Sequence, residues 1–179
     1  IAIIYAQGEI MGGEGDVTVI GEGSMRRSLQ EARKNEDVKA IVLRIDSPGG
    51  SALTSDLIWR EIEITKKVKP VVVSMGNYAA SGGYYIACNA NKIFAESNTI
   101  TGSIGVFGVL PNFTPLANKL GVNTEQVETH ENSANYSPFV PVDEKFRAYT
   151  LESVEHIYNT FVNRVSQGRK MTFAQVDAI

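Results

Sequence analysis

Two stretches decide the fold: Ala40-Ile-Val-Leu-Arg-Ile-Asp-Ser-Pro-Gly-Gly-Ser51 and its later counterpart Pro70-Val-Val-Val-Ser-Met-Gly76. Each is a short apolar, β-branched run that breaks into a glycine turn, as a buried strand does at its carboxyl end. Between them Thr54 to Lys66 carries apolar residues at helical spacing, so the order is strand, helix, strand, which makes the two strands parallel. Working outward, Ile1 to Ala6 reads as a first strand and Ser24 to Lys34 as a helix whose Met25, Leu29 and Ala32 share one face. Downstream, Ala79 to Ala90 reads as a buried small-residue helix, with short strands at Lys92 to Ala95 and Ile104 to Val106. A helix around Thr114 to Leu120, a strand from Thr124 to Thr129 and an irregular loop from His130 to Pro141 follow. A long helix then runs from Asp143, an N-cap residue type, to Ser166, with Gly168 as its stop. No linker or repeat divides the 179 residues, and a single α/β domain with a mainly parallel sheet is expected.

Composition narrows the function. The chain is 43% hydrophobic and 21% charged, ordinary values for a globular protein, with a formal net charge of -3 and no block of Lys or Arg. Nucleic acid is therefore not the expected partner. No apolar run is long enough to span a membrane, and Ile1 to Tyr5 lack the cationic flank and small-residue cleavage site of a leader. The chain opens without Met inside an apolar run and closes at Val176-Asp-Ala-Ile179 in the middle of what reads as a helix, so it reads as a fragment truncated at both ends, from which targeting or anchor segments are missing. One cysteine, Cys88, and two histidines, His130 and His156, give neither a disulfide framework nor a zinc ligand set, and no metal or cofactor is expected.

The chemistry concentrates at the glycine turns. In a parallel sheet the turns Asp46 to Ser51 and Ser74 to Gly83 lie side by side, where active sites of open sheets collect. Glycine lets backbone N–H groups approach a ligand oxygen, and a helix start adds positive partial charge, a combination that binds an oxyanion. Ser81, at the first turn of the small-residue helix, is placed with its own amide and the next pointing the same way, as acyl transfer requires. Read alone, Ser before Gly-Gly is more often a helix cap or a tight-packing residue, and Ser-Pro-Gly-Gly more often a tight turn than an oxyanion hole. Asp46 reads as a turn-former bonding its own backbone, and Cys88 as a small buried hydrophobe.

Taken together, Ile45-Asp-Ser-Pro-Gly-Gly50, Gly76-Asn-Tyr-Ala-Ala-Ser-Gly-Gly-Tyr-Tyr-Ile-Ala87 and Thr101-Gly-Ser-Ile-Gly-Val106 resemble, in order and spacing, the signal peptide peptidase A family of serine peptidases. The resemblance implies a Clp protease/crotonase-like fold of repeated β-β-α units. It also implies Ser81 as nucleophile, the amides of Gly50 and Gly82 as oxyanion donors, and Gly49, Gly83 and Ser103 at the substrate pocket, within a wall shaped by Thr101 to Gly105. The family's general base is a lysine in a Lys-Ser-Ala-like stretch. Here that stretch reads His130-Glu-Asn-Ser-Ala134, with Asn132 at the lysine position, and an amide accepts no proton near neutral pH. Lys92 lies eleven positions beyond Ser81, about 16 Å away along a continuing helix, and reads as a surface residue. The chain therefore resembles the carboxyl-terminal unit of a two-unit member, in which the amino-terminal unit holds the lysine.

The implied partners are a peptide substrate derived from signal-peptide remnants, and a homo-oligomer or a second unit of the same chain supplying the lysine. The implied place is the extracytoplasmic face of the cytoplasmic membrane, to which the full-length protein is anchored. Two other readings stay open, a catalytically silent scaffold unit and a crotonase-type acyl-CoA enzyme that uses the glycine turns without a serine. A Ser81–His130 pair is chemically reasonable, although His130 in a polar string is more often solvated, and His156 reads as a packing or surface residue. Tyr136 and Phe139 in the apolar loop pack either on the long helix or, as favoured here, on another subunit.

Overall fold

The computed structural model describes residues 1–179 apart from 131, 132, 134 and 135. Two compact units emerge, Ile1–Val106 with Ile157–Ile179, and Phe107–His156.

In the first unit β1 (Ala2–Gln7) is followed by two short strands, β2 (Glu9–Met11) and β3 (Val19–Gly21), and by α1 (Glu22–Lys34). Then come β4 (Ile41–Ser47), α2 (Ala52–Lys66), β5 (Val71–Ala80), α3 (Gly82–Ala87), β6 (Lys92–Phe94) and β7 (Ile100–Gly102). The main sheet runs β1-β4-β5-β6, and β7 also pairs with β5. Every one of these pairings is parallel, as the strand–helix–strand reading requires. The expected α/β class with a parallel sheet is the one observed.

Alternation along β4 sends Ile41, Leu43 and Ile45 inward, each with no exposure, onto Met25 and Leu29 of α1 and Ile58 and Ile62 of α2 in one core cluster. Each such side chain contributes about 1.5–3 kcal/mol on burial, which outweighs the weak intrinsic preferences of strand or helix. Between the helices Arg33 bonds Glu61 at 2.6 Å and Thr65 at 3.0 Å, so the buried carboxylate is not left unpaired.

β5 is longer than expected. Its register against β4 jumps from Ile45↔Met75 to Ser47↔Ala79, so Gly76-Asn77-Tyr78 bulge out, and the Asp46 carboxylate closes the bulge by accepting the Tyr78 amide at 3.0 Å. Asp46 thus ties two strands together instead of turning its own backbone. The bulge lets β5 pair first with β6 and then with β7. Ala79 and Ala80 are consequently strand residues, and the expected helix shortens to α3.

Other expectations are corrected. The strand after β6 is Ile100–Gly102, where partners on β5 exist, and Ile104–Val106 is irregular. β2 and β3 were not legible as strands, being three residues each.

In the second unit, α4 (Thr114–Lys119) leads toward the start of α5 (Glu144–Arg169), whose later residues belong to the first unit. Thr124 to Thr129 forms no strand. The Thr124 hydroxyl donates to the Phe139 carbonyl at 2.9 Å, the Thr129 amide to the Ser133 hydroxyl at 3.1 Å, and Val127 is 89% exposed. Asp143 caps α5 as expected, accepting the Phe146 amide at 2.6 Å. Tyr136 packs on that helix, stacked on Phe146 with centroids 6.2 Å apart, and Phe139 lies against Phe113 at 6.0 Å.

Gly168 does not stop α5. The helix runs one residue further, to Arg169, after which Lys170 adopts φ 58 and the Met171 amide returns to the Ser166 carbonyl at 3.0 Å, a Schellman closure. Gly168 serves close packing, since a Cβ there would stand 2.3 Å from the Cys88 carbonyl oxygen.

Cys88 sits in a second cluster with Trp59, Tyr85, Phe161, Val162, Val165 and Val176. Burial pushes its thiol up to about 12 from 9.0. Below pH 9 both folded and unfolded chains keep the proton, and between there and about 12 only the unfolded chain loses it. Cys88 should then contribute a fall in stability of about 1.4 kcal/mol per pH unit across that window, and the slope should be shallower by that amount in Cys88→Ala. Urea titrations at stepped alkaline pH check this, and equal slopes in both proteins would contradict it.

Candidate active site

Ser81 stands between β5 and α3 with φ 52 and ψ -121, a conformation L-residues seldom hold. Such strain costs about 1–3 kcal/mol and persists only where surrounding bonds over-determine it. Those bonds come from β7: the Ser81 amide donates to the Gly102 carbonyl at 2.9 Å, and the Thr101 hydroxyl to the Ala79 carbonyl at 2.8 Å. The serine's own amide is therefore occupied, contrary to the expectation that it points outward beside the next one. Its hydroxyl makes no capping bond, which removes the cap as its role, and the residue is half-buried.

What is free on this side is the Gly82 amide. Gly82 is the first residue of α3, whose opening N–H groups have no intrahelical acceptor. A side chain is excluded there, because a Cβ would lie 2.6 Å from the Ser55 hydroxyl.

The Asp-Ser-Pro-Gly-Gly turn yields its free donor by elimination. Pro48 has no N–H. The Gly49 amide donates to the Ser47 hydroxyl at 3.1 Å, and the Ser51 amide to the Ile10 carbonyl at 2.7 Å. The Gly49 carbonyl accepts from the Ile10 amide at 2.8 Å. Since the Gly49–Gly50 peptide is planar and trans, its N–H points away from Ile10. Among the described residues that Gly50 amide has no recorded acceptor, and Gly50 is exposed.

The two turns touch. A Cβ on Gly49 would fall 2.7 Å from the Gly82 nitrogen and 2.8 Å from Ser81 Cβ. Gly49 and Gly83 are buried, Gly83 against the Ser47 carbonyl, while Ser103 is exposed with φ 50. The Gly82 amide and the Ser81 side chain thus lie against the turn that carries the Gly50 amide.

Behind the turns α3 is anchored by its own Tyr85. The Tyr85 hydroxyl donates to the Asp56 carboxylate at 2.6 Å, and Arg164, stacked 3.8 Å over the Trp59 ring, bonds the same carboxylate at 3.2 Å. Burial, then the Asp56 bond, raises the Tyr85 phenol well above its ordinary value, so it stays a donor.

No lysine or histidine among the described residues has a recorded hydrogen bond to the Ser81 hydroxyl. Lys66 bonds Glu63 and the Asn89 carbonyl, Lys69 the carbonyls of Ala32 and Asn35, and Lys92 is exposed at the start of β6. His130 and His156 belong to the second unit and are exposed, with His130 Nδ1 3.0 Å from the Thr129 hydroxyl. Asn132 lies outside the described residues. Among the described residues no three His, Cys, Asp or Glu side chains converge to hold a metal, and no helix is long and apolar enough to cross a membrane.

The sequence reading missed Ile10 and Ser47. Ile10 grips both halves of the site, its backbone the Gly50 turn and its Cδ1 atom 3.2 Å from where a Gly82 Cβ would stand. A three-residue strand gives too little periodicity to reveal it.

The fold is that of the ClpP proteases. A ClpP1 mutant from Listeria monocytogenes superposes over 98% of this chain and 77% of its own, with a TM-score of 0.57 at 14% identity. Residues 63–179 match peptidase family S49. The chain is 43% identical over its whole length to protease 4 of Haemophilus influenzae and 40% identical to protease 4 of Salmonella typhi, and in each case spans 29% of that protein. It is 37% identical over 144 residues to a putative signal peptide peptidase of Enterococcus faecium, covering 80% of this chain and 42% of that one. The chain belongs to peptidase family S49.

Proposed function

We propose that this chain is the serine-bearing unit of a peptidase, with Ser81 as nucleophile, Gly50 and Gly82 as oxyanion donors and a lysine from another unit as general base. Gly49, Gly83 and Ser103 shape the substrate pocket around them. A peptide carbonyl rests against the two amides. Ser81 Oγ bonds to its carbon while the hydroxyl proton passes to a neutral lysine Nζ. The tetrahedral oxyanion collapses, the C–N bond breaks, and the lysine returns the proton to the departing amine. Water, deprotonated by the same lysine, then hydrolyses the ester. A buried lysine serves as base because desolvation lowers its pKa.

The observation that carries this reading is the strained Ser81, whose hydroxyl makes no capping bond and whose turn packs against the turn holding the Gly50 amide. The substrates are apolar peptides of signal-peptide origin, in keeping with the name of the Enterococcus relative. The full-length protein works at the outer face of the cytoplasmic membrane, to which it is anchored, as an oligomer or through a second unit of its own chain.

The test is hydrolysis of a peptide ester by this chain alone, by Asn132→Lys, by His130→Ala and by the full-length protein. The full-length protein should turn over and the isolated chain should be silent. Turnover by the isolated chain that is lost in His130→Ala would replace the borrowed lysine with a serine–histidine pair. Silence of both proteins would favour a scaffold unit.

A further inference from the structure

Ser47 ends β4 with no exposed surface. It touches both halves of the site: its hydroxyl accepts the Gly49 amide at 3.1 Å, and its carbonyl oxygen would stand 2.7 Å from a Cβ on Gly83. Along the turn, every donor but one is committed. Pro48 has none, Gly49 is held by Ser47, and Ser51 by the Ile10 carbonyl at 2.7 Å. Glycine pairs reorient at little cost, since neither residue carries a Cβ, and here both sit at positive φ, 108° for Gly49 and 148° for Gly50. A free Gly49 amide would compete for the incoming carbonyl oxygen and let the turn rotate.

We propose that the Ser47 hydroxyl is a positioning residue of the oxyanion site: by binding the Gly49 amide it leaves the Gly50 amide as the one donor the turn can offer. The inference rests on the proposed peptidase reading. Ser47 meets neither substrate nor nucleophile, and its effect is on the direction of a neighbouring N–H. That effect grows as the carbonyl oxygen gains charge, so it acts on the transition state more than on substrate binding.

The experiment uses the full-length protein and Ser47→Ala, with kcat, KM and the inhibition constant of a peptide aldehyde, which forms a tetrahedral adduct with a nucleophilic serine. A fall in kcat of about tenfold to a hundredfold is expected, with KM within about twofold and aldehyde affinity falling in step with kcat. A folded Ser47→Ala protein with unchanged kcat and aldehyde affinity overturns the proposal, as does a loss confined to KM. Should Ser47→Ala not fold, amide hydrogen exchange in the unsubstituted protein decides, with Gly49 protected and Gly50 fast. Equal exchange at both glycines overturns it. Aldehyde binding that is just as tight in Ser81→Ala would instead refute the nucleophile assignment, and so separates the two failures.

Discussion

Ser81→Ala in the full-length protein is expected to lower kcat by about four orders of magnitude or more while leaving the unfolding midpoint nearly unchanged. The hydroxyl is half-buried and makes no capping bond, so its removal leaves no buried group unsatisfied. The backbone offers a control. Alanine keeps the penalty of φ 52 and ψ -121, whereas glycine relieves it. Ser81→Gly should therefore be as inactive as Ser81→Ala yet more stable by about 1 kcal/mol. Kinetics and thermal unfolding on the two variants measure this. Activity surviving in either, or equal stability of both, would count against the strained nucleophilic turn.

Gly50→Ala should be damaging in both respects. Its φ of +148° is unfavourable for any L side chain, and a Cβ would lie 2.1 Å from the Ile10 carbonyl oxygen, an atom already accepting the Ser51 amide. Nothing flexible can yield there, so β2 must move or the turn must rotate. Either displaces the Gly50 amide. A loss of about 10²–10³ in kcat is expected, together with about 3 kcal/mol of stability. The neighbouring Pro48→Ala, at an exposed position, should do far less. Near-normal activity in Gly50→Ala would remove Gly50 from the oxyanion site.

The parallel α/β architecture was legible because β4 and β5 are apolar runs ending in glycine turns, with helical spacing between them. Those signals come from burial of the helix-covered face, where Ile41, Leu43, Ile45, Val71, Val73 and Met75 alternate with less buried neighbours. Ser81, Gly50 and Gly82 were nameable for a different reason, the wording of three motifs. What escaped notice depends on partners distant in sequence. β7 forms at Ile100–Gly102 because the Gly76–Tyr78 bulge brings the end of β5 within reach, and no local preference marks that shift of register. The engagement of the Ser81 amide by Gly102 follows from the same pairing. Gly168 misled because a glycine near a helix end has two uses, and only the nearness of the Cys88 backbone shows that it marks close packing. In the second unit, Thr124 to Thr129 has strand composition but forms no strand.

The proposed role of Ser81 is that of a nucleophile completed by a lysine from outside this chain. Its most direct test is a fluorophosphonate serine probe applied to this chain and to the full-length protein, followed by peptide mapping of the adduct. One modified residue, Ser81, is expected, labelled in the full-length protein and at most weakly in the isolated chain. Labelling of the full-length protein at another serine with Ser81 untouched, or equally fast labelling of Ser81 in both proteins, would contradict it.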